Sequence, residues 1–209
     1  SPIVHWSFDE LNGTSISDSS GLDHNGSVVG NSITNLYDHS EQGRSGTALR
    51  FDENQSVYLP KTSSSSLNNT FTLCFWLNTN DVDAVILKSD QMKVEVSNGF
   101  ISAGVYLGSW INTAEIPLTT GEWVHYTLMW DGSKVRFFVN ASEVGIPISV
   151  SNATLQGTGG DTNTYLGAHS SGGETLGGLF DDLRIFNQAL TMKELQGVFE
   201  FADSQLIAR

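Results

Sequence analysis

The sequence predicts an all-β protein, a sandwich or a barrel, with one short helix near its C-terminal end. Short apolar runs recur between Gly, Asn and Ser clusters at intervals of roughly 8–12 residues, the spacing typical of such folds. The chain contains 21 Gly and only 4 Pro, and 16% of its 209 residues are charged, a profile that favours many turns between strands. We find no internal repeat and no linker, so we expect one domain over residues 1–209.

The predicted strands are runs of apolar or alternating residues that end at turn formers. Asp131-Gly132 predicts one hairpin turn and Asn98-Gly99 a second, because these pairs readily adopt the positive φ of a tight turn. The predicted strands are Val4–Phe8, Gly26–Val29, Ala48–Phe51, Ser56–Leu59, Phe71–Asn78, Ala84–Lys88, Met92–Ser97, Phe100–Tyr106, Trp123–Trp130, Lys134–Val139, Thr164–Gly167 and Gly178–Phe186.

One helix start is visible, at Thr191-Met192-Lys193-Glu194. The Thr hydroxyl and the Glu carboxylate have the spacing of a capping box, in which each satisfies a free backbone N–H. Leu195 and Val198 then recur at helical spacing. We therefore predict a short C-terminal helix after Thr191.

The net charge of the chain argues against two classes of partner. A formal net charge of −13 argues against a nucleic-acid partner and against an anionic membrane surface, since both reward clustered Lys and Arg. Cys74 is the single cysteine, expected to be a small buried hydrophobe. No apolar run has the length of a membrane span. We expect a protein located outside cells, either mature or a domain of a larger multidomain protein.

An acidic pair marks a candidate cation site. Asp181 and Asp182 are adjacent in a run of strand formers, where buried carboxylates are costly unless a positive or hydrogen-bonding group meets them. The segment from Asp18 to Asn25 also offers carboxylate and amide oxygens in a loop. Calcium prefers six to eight such hard oxygen ligands. The same residues are also common in ordinary surface turns.

Five blocks of sequence together resemble the laminin-G-like jelly-roll family, which has the concanavalin A-like sandwich fold. The resemblance covers nearly the whole chain. The blocks are Trp6–Glu10, Asp18–Gly21 with Asn25-Gly26, Gly43–Phe51, Phe71–Leu77 with Gly121–His125, and Phe180–Thr191.

The resemblance implies a two-sheet antiparallel jelly roll of about six or seven strands per sheet, with both termini at one edge. It also implies a structural Ca²⁺ where the N-terminal loop meets the last strand. The residues that match are Asp18 and Asn25, helped by backbone carbonyls near Asp23 and His24, with Asp181 or Asp182 from the last strand. We favour Asp181, and which of the two faces the ion stays open, because neighbours on a strand point to opposite sides.

Catalysis is not expected from the residue pattern. A retaining glycosidase needs two carboxylates about 5–5.5 Å apart, yet neither Glu-x-Asp-x-Glu nor Glu-x-Asp-x-x-Glu occurs in the chain. Asp81 and Asp83 have a suitable spacing but follow Asn80 in a predicted loop. The five His residues are scattered without zinc-ligand spacing, and His125 is expected in the core or at a sheet edge.

A ligand site is predicted around an aromatic residue between strands. Trp6, Trp76 and Trp123 fall within predicted strands and are expected in the core, and Trp130 is expected to be half-buried. Trp110 lies between predicted strands, where an exposed ring needs a reason, although it could also fold back over the core. The residues that could join it in a ligand site are Tyr106, Asn112, His169 and Glu174, with Tyr37 and His39 as further loop candidates.

Three functions follow from this sequence. The first is a non-catalytic, calcium-binding carbohydrate-recognition or adhesion module with a glycan or cell-surface ligand. The second is a protein-binding or spacer domain of a large surface protein. The third, least favoured, is a polysaccharide-degrading enzyme. The identity of the ligand is not predicted by the residues.

Overall fold

The computed structural model describes residues 1–10, 13–30, 40–52, 55–59, 67, 69–168 and 175–207. These residues form two antiparallel sheets and one helix, so the predicted jelly-roll sandwich is confirmed. The sheets have eight and nine described strands, more than the six or seven expected for each. In this part of the chain no helix is long and apolar enough to cross a membrane.

The eight-stranded sheet contains the first and the last of the described strands. Its order is β15-β14-β13-β7-β17-β5-β4, with the N-terminal strand β1 paired to β17. Its strands are β1 Val4–Trp6, β4 Ser40–Gln42, β5 Thr47–Phe51, β7 Phe71–Thr79, β13 Val124–Trp130, β14 Lys134–Val139, β15 Ser142–Ser149 and β17 Gly178–Phe186.

The nine-stranded sheet has the order β11-β10-β9-β8-β16-β6-β3-β2, and β12 pairs with β10. Its strands are β2 Ser15–Ile16, β3 Gly26–Gly30, β6 Gln55–Leu59, β8 Ala84–Lys88, β9 Met92–Ser97, β10 Phe100–Tyr106, β11 Trp110–Asn112, β12 Ile116–Pro117 and β16 Thr164–Leu166.

The predicted strands are present, and the additional ones lacked a clear sequence signal. The strand β15 follows a two-residue turn at Asn140-Ala141, and both residues have positive φ. Two-residue turns of this kind usually contain glycine, and Asn140-Ala141 does not, so the sequence does not predict the turn. Trp110–Asn112 was expected to be a loop and is a strand, because it pairs with β10.

Two expectations about the other tryptophans were wrong. Trp130 is fully buried rather than half-buried, because it belongs to the central strand β13, whose residues are buried on both faces. Trp123 is only partly buried, because it precedes that strand. Trp6 and Trp76 are core residues, and Cys74 is buried as expected.

The helix α1, Met192–Ile207, covers one sheet. Thr191 caps it as predicted: its N–H donates to Glu194 Oε2 at 2.8 Å, and the Glu194 N–H donates back to Thr191 Oγ1 at 3.3 Å. Beneath the helix, a second hydrophobic cluster lies against the outer face of the eight-stranded sheet. Its buried members are Cys74, Met129, Phe138, Phe186, Leu190 and Leu195.

The outer face of the nine-stranded sheet is different in character. On β9 the core-facing residues Met92, Val94 and Val96 alternate with Lys93 and Glu95, which are partly exposed. Such alternation is typical of a strand with one buried and one solvated face. The helix therefore covers one sheet, whereas the other presents polar and aromatic side chains to solvent.

The helix buries an uncharged histidine. His125 is 1% exposed and packs against the rings of Trp76 and Phe199, with centroids 5.1 and 5.7 Å away, and those two rings stack on each other at 5.4 Å. Burial lowers its pKa to about 3, although the Asp182 carboxylate opposes the shift. The confirmed core position of His125 therefore makes the domain sensitive to acid.

We expect stability to fall as the pH drops below about 6.5, because the unfolded chain then binds a proton at His125 that the folded chain rejects. This contribution is complete above the unfolded pKa and decreases by up to ~1.4 kcal/mol per pH unit towards the folded pKa. The free energy of unfolding, measured in urea at about pH 7 and about pH 5, should change less between the two pH values in His125→Leu than in the parent. An equal change with pH in the two proteins would contradict the assignment of this acid sensitivity to His125.

Candidate functional site

Three of the predicted ligand residues meet at the β10–β11 hairpin. Tyr106 is the cross-strand partner of Trp110, and Gly104 is the partner of Asn112. The Tyr106 and Trp110 rings meet edge to face, with centroids 5.4 Å apart. His169 and Glu174 lie outside the described residues, as do Tyr37 and His39. Trp110, Tyr106 and Asn112 therefore form one surface on the nine-stranded sheet.

Two lysines lie over the Trp110 ring. The Nζ atoms of Lys88 and Lys93 are 4.6 and 5.2 Å from its centroid, within the range of cation–π attraction. The lysines are direct cross-strand partners on β8 and β9. Burial lowers the pKa of Lys88, and Lys93 lowers it further, whereas Glu95 opposes the shift.

The strand glycine Gly104 makes room for this arrangement. A Cβ atom at Gly104 would lie 2.5 Å from Asn112 Oδ1 and 3.0 Å from Lys93 Cε. A side chain there would displace the Asn112 amide and press on the Lys93 stem. The missing side chain therefore allows both residues to lie across β10.

A cavity of about 250 Å³ opens beside Trp110, between Lys88 and the segment around Asp161. The Tyr165 hydroxyl donates to Asp161 Oδ2 at 2.8 Å, and the Asn163 N–H donates to Asp161 Oδ1 at 2.9 Å. Tyr165 also stacks on Tyr58 of the next strand, with centroids 6.2 Å apart. The cavity thus combines aromatic rings, carboxylates, an amide and an ammonium group.

The predicted N-terminal calcium loop is closed by internal hydrogen bonds. Asp18 Oδ1 accepts from the N–H groups of His5 and Ser20, at 2.8 and 2.9 Å. Asp18 Oδ2 accepts from the Ser20 hydroxyl at 2.6 Å and the His24 N–H at 2.9 Å. Burial favours the neutral acid, but these bonds outweigh it and hold the pKa of Asp18 below its usual value.

The neighbours of Asp18 are also engaged. Asn25 Oδ1 accepts from the Asp18 N–H at 2.8 Å, and the His24 carbonyl accepts from Trp6 Nε1 at 2.9 Å. Asp23 is exposed with a φ of 58°. The Asp18–Asn25 loop thus holds itself together and anchors β1 through protein donors.

Asp181 and Asp182 lie in a β-bulge of β17. The register against β7 shifts between Asp181 and Arg184, and Asp182 has a φ of 47°. Both carboxylates consequently line one cavity of about 240 Å³, together with Asp9 and Ser45. The expectation that adjacent strand residues face opposite sides was wrong here, because the bulge re-aims Asp182.

The two carboxylates have different partners. Asp182 Oδ1 lies 2.7 Å from His5 Nε2 and 3.0 Å from an Arg184 guanidinium nitrogen. Asp181 is 0% exposed, and its Oδ2 accepts from the Ser45 N–H at 2.9 Å. Its Oδ1 has no hydrogen-bond partner among the residues that the structure describes. Burial therefore raises the pKa of Asp181 to about 8, and the charges of Asp182 and Asp9 add to this.

These residues fit a cation only in part. Within the described chain, no three His, Cys, Asp or Glu side chains are grouped so that they could hold a metal ion. The five predicted ligands Asp18, Asp23, Asn25, Asp181 and Asp182 therefore do not form one cluster, because Asp18 and Asn25 bond within their own loop. The unpartnered Asp181 oxygen, facing the same cavity as Asp9, is the one feature here that a cation would satisfy.

Several residues of these sites were not identified from the sequence. The alternation on β9 shows that Lys93 and Glu95 face outward, but strand order is needed to bring Lys88 and Tyr165 beside them. Asp9 belonged to a resemblance block, yet only the fold brings it to Asp181. Residue type alone does not identify these residues, because strand pairing in the folded domain is what brings them to the sites.

Comparisons with known proteins agree with this architecture. A laminin-G family model, described as the concanavalin A-like lectin/glucanases superfamily, matches residues 51–196. Domain 4 of AbnA, a GH43 extracellular arabinanase from Geobacillus stearothermophilus, solved with arabinotriose, has a TM-score of 0.72 at 21% identity, covering 94% of this chain and 97% of that one. A search of curated proteins finds no match.

Binding domains of toxins share the fold as well. The binding domain of Paraclostridial Mosquitocidal Protein 1 has a TM-score of 0.72 at 16% identity, covering 96% of this chain and 52% of that one. The binding domain of botulinum neurotoxin DC, solved with rat synaptotagmin II, has a TM-score of 0.66 at 13% identity, covering 94% and 52%. The chain thus spans about half the length of these toxin domains. At these identities the likeness shows the fold.

We expect Asp18→Asn to destabilise the domain by about 1–3 kcal/mol, because an amide turns a donor towards N–H groups that need an acceptor. Asp23→Asn makes the same chemical change at an exposed residue and should have little effect. Thermal melting of both variants, with calcium and with EDTA, measures this. If the loss in Asp18→Asn disappears in EDTA, Asp18 acts through a metal and its hydrogen bonds are not the cause.

Proposed function

Because the chain belongs to the concanavalin A-like lectin/glucanase superfamily, we propose that it is a non-catalytic carbohydrate-binding module. The glycan would lie on the outer face of the nine-stranded sheet. The observation that carries this proposal is the cavity between Trp110 and Tyr165, where aromatic rings adjoin a carboxylate and an ammonium group. Aromatic surfaces with a few placed polar groups are the usual composition of small-ligand sites.

A continuous row of cross-strand partners supports an extended ligand. Six steps between neighbouring strands, at ~4.8 Å each, give a length of roughly 29 Å. Cross-strand partners share one face of the sheet, so the row forms a single surface across seven strands. Its members, in order, are Ser27, Tyr58, Tyr165, Lys88, Lys93, Gly104 and Asn112.

The structural neighbours support binding in more than one form. The arabinanase domain was solved with arabinotriose, which favours a glycan. One toxin domain was solved with a protein, rat synaptotagmin II, which favours a protein ligand as the second candidate. We place the glycan first because Trp110 adjoins the cavity. A degradative activity stays the third candidate.

We also propose an extracellular location within a larger protein. The acidic composition and the single buried cysteine are compatible with such a setting. The similar arabinanase domain comes from an extracellular enzyme. As an adhesion or targeting module, the domain would hold a partner domain close to a polysaccharide or a cell surface.

We also propose that the domain binds Ca²⁺, at a site different from the Asp18–Asn25 loop. We infer that Asp181 and Asp9 would hold the ion, because both line one cavity and Asp181 Oδ1 lacks a partner within the described structure. A bound Ca²⁺ would satisfy that oxygen and add to the positive charge that the Arg44 guanidinium already brings near the Asp181 carboxylate. Such an ion would tie β17 to the first segment of the chain.

Trp110→Ala should lower glycan affinity by at least about tenfold, because truncating a central aromatic anchor removes most of its contact. A glycan array with and without EDTA, followed by titration of any bound glycan, provides the measurement. Trp123→Ala is the matched control, since Trp123 is partly buried and directly precedes β13 of the other sheet. If no glycan on the array binds, carbohydrate binding is rejected in favour of a protein ligand. If the protein shortens a polysaccharide chain, the enzyme is favoured.

Calcium should raise the melting temperature of the parent protein at about pH 8, because an ion bound only by the folded state stabilises it. Asp181→Asn should abolish this increase and should stabilise the metal-free protein, since it removes a buried carboxylate with an unmet oxygen. Asp18→Asn should keep the response to calcium. An unchanged melting temperature on adding EDTA to the calcium-loaded parent would exclude the proposed site.

A further inference from the structure

The lysine pair at Trp110 is an unusual arrangement for a strand surface. Lys88 and Lys93 are direct cross-strand partners, and like charges placed opposite each other destabilise a sheet. Their side chains are only 21% and 17% exposed, so water screens them less than free surface lysines. The two ammonium groups are thus held together on one face of the domain.

Among the residues that the structure describes, one carboxylate serves both ammonium groups directly. Glu95 Oε2 is 2.9 Å from Lys93 Nζ, and Glu95 Oε1 is 3.9 Å from Lys88 Nζ. The Trp110 ring supplies further attraction, which is weaker than a charge-assisted hydrogen bond. Each ammonium has three donors. Donors of this pair are consequently available to an additional acceptor.

Two further carboxylates line the cavity, one in the segment before β16 and one in the turn between β8 and β9. Asp161 accepts from the Tyr165 hydroxyl and from the Asn163 N–H. Asp90 is 5% exposed, and its carboxylate faces the backbone at Gly157. The cavity therefore carries both signs of charge, with the Lys88 ammonium beside Trp110 and the Asp161 carboxylate beside Tyr165. A ligand that fits would place an oxyanion at the lysine pair and hydroxyl donors at Asp161.

We propose that this site recognises an acidic glycan, whose carboxylate or sulfate group binds Lys88 and Lys93 while neighbouring hydroxyl groups bind Asp161. The inference rests on the proposed function and specifies its ligand class. The formal net charge of −13 opposes general attraction of polyanions. Binding of an acidic polymer by this protein would therefore reflect a local site.

The test uses pairs of polymers that differ in charge. Polygalacturonate and its methyl ester distinguish a carboxylate, and dextran sulfate and dextran distinguish a sulfate. We expect the full chain to bind at least one charged polymer at least about tenfold more tightly than its neutral counterpart. Added salt should weaken that binding.

Variants locate the effect. The double substitution Lys88→Met with Lys93→Met should lower affinity for the charged polymer at least about tenfold. Lys93→Arg should keep most of the affinity. Lys134→Met, an exposed lysine on the other sheet, should change nothing. Melting temperatures verify that each variant is folded.

The outcomes separate this inference from the function on which it rests. Equal binding of charged and neutral polymers, or unchanged affinity in the double variant, overturns the acidic ligand and leaves carbohydrate binding intact. An equal loss in Lys134→Met also overturns it, because the attraction would then be general. Absence of binding to every glycan overturns both proposals together.

Discussion

The burial of β17 is the constraint on which the rest of this structure depends. The strand lies between β7 and β5 and also pairs with β1, so the last strand of the chain is joined to the first. It carries two carboxylates into the interior of the sheet, where charge is costly. A bulge and a positive φ at Asp182 turn that residue towards His5 and Arg184. Asp181 is left with one oxygen that nothing in the described chain satisfies.

Two sets of polar contacts therefore meet at His5, whose N–H bonds to Asp18 and whose ring bonds to Asp182. In one, the Asp18 carboxylate accepts four protein donors and fixes the loop that follows β1. In the other, Asp182 joins His5 of β1 to Arg184 of β17. The Asp18 carboxylate is thus satisfied by protein donors, whereas Asp181, the neighbour of Asp182, keeps one oxygen without a partner in the described chain. The proposed Ca²⁺ site is accordingly at Asp181 and Asp9, where an oxygen is unmet, and not in the Asp18 loop.

Much of the fold could be predicted from the sequence, because strand alternation, Asn98-Gly99 and the Thr191 capping box are local signals. The turn at Asn140-Ala141 lacks glycine, and the strand after it was missed for that reason. The site was only partly predictable. Trp110, Tyr106 and Asn112 are close in sequence and meet on one hairpin, but Lys88, Lys93 and Tyr165 reach them through strand order, which no local pattern encodes.

Gly104 has a consequence for how relatives of this domain could be compared. A glycine within a strand normally weakens it, since it has no side chain to pack. Here the vacancy at that position sets where the Lys93 stem and the Asn112 amide lie. Two homologues could therefore share Trp110 and both lysines, yet present different surfaces if one of them carried alanine at position 104. The chemistry of this surface therefore depends on the absence of a Cβ atom at position 104 as much as on the side chains around it.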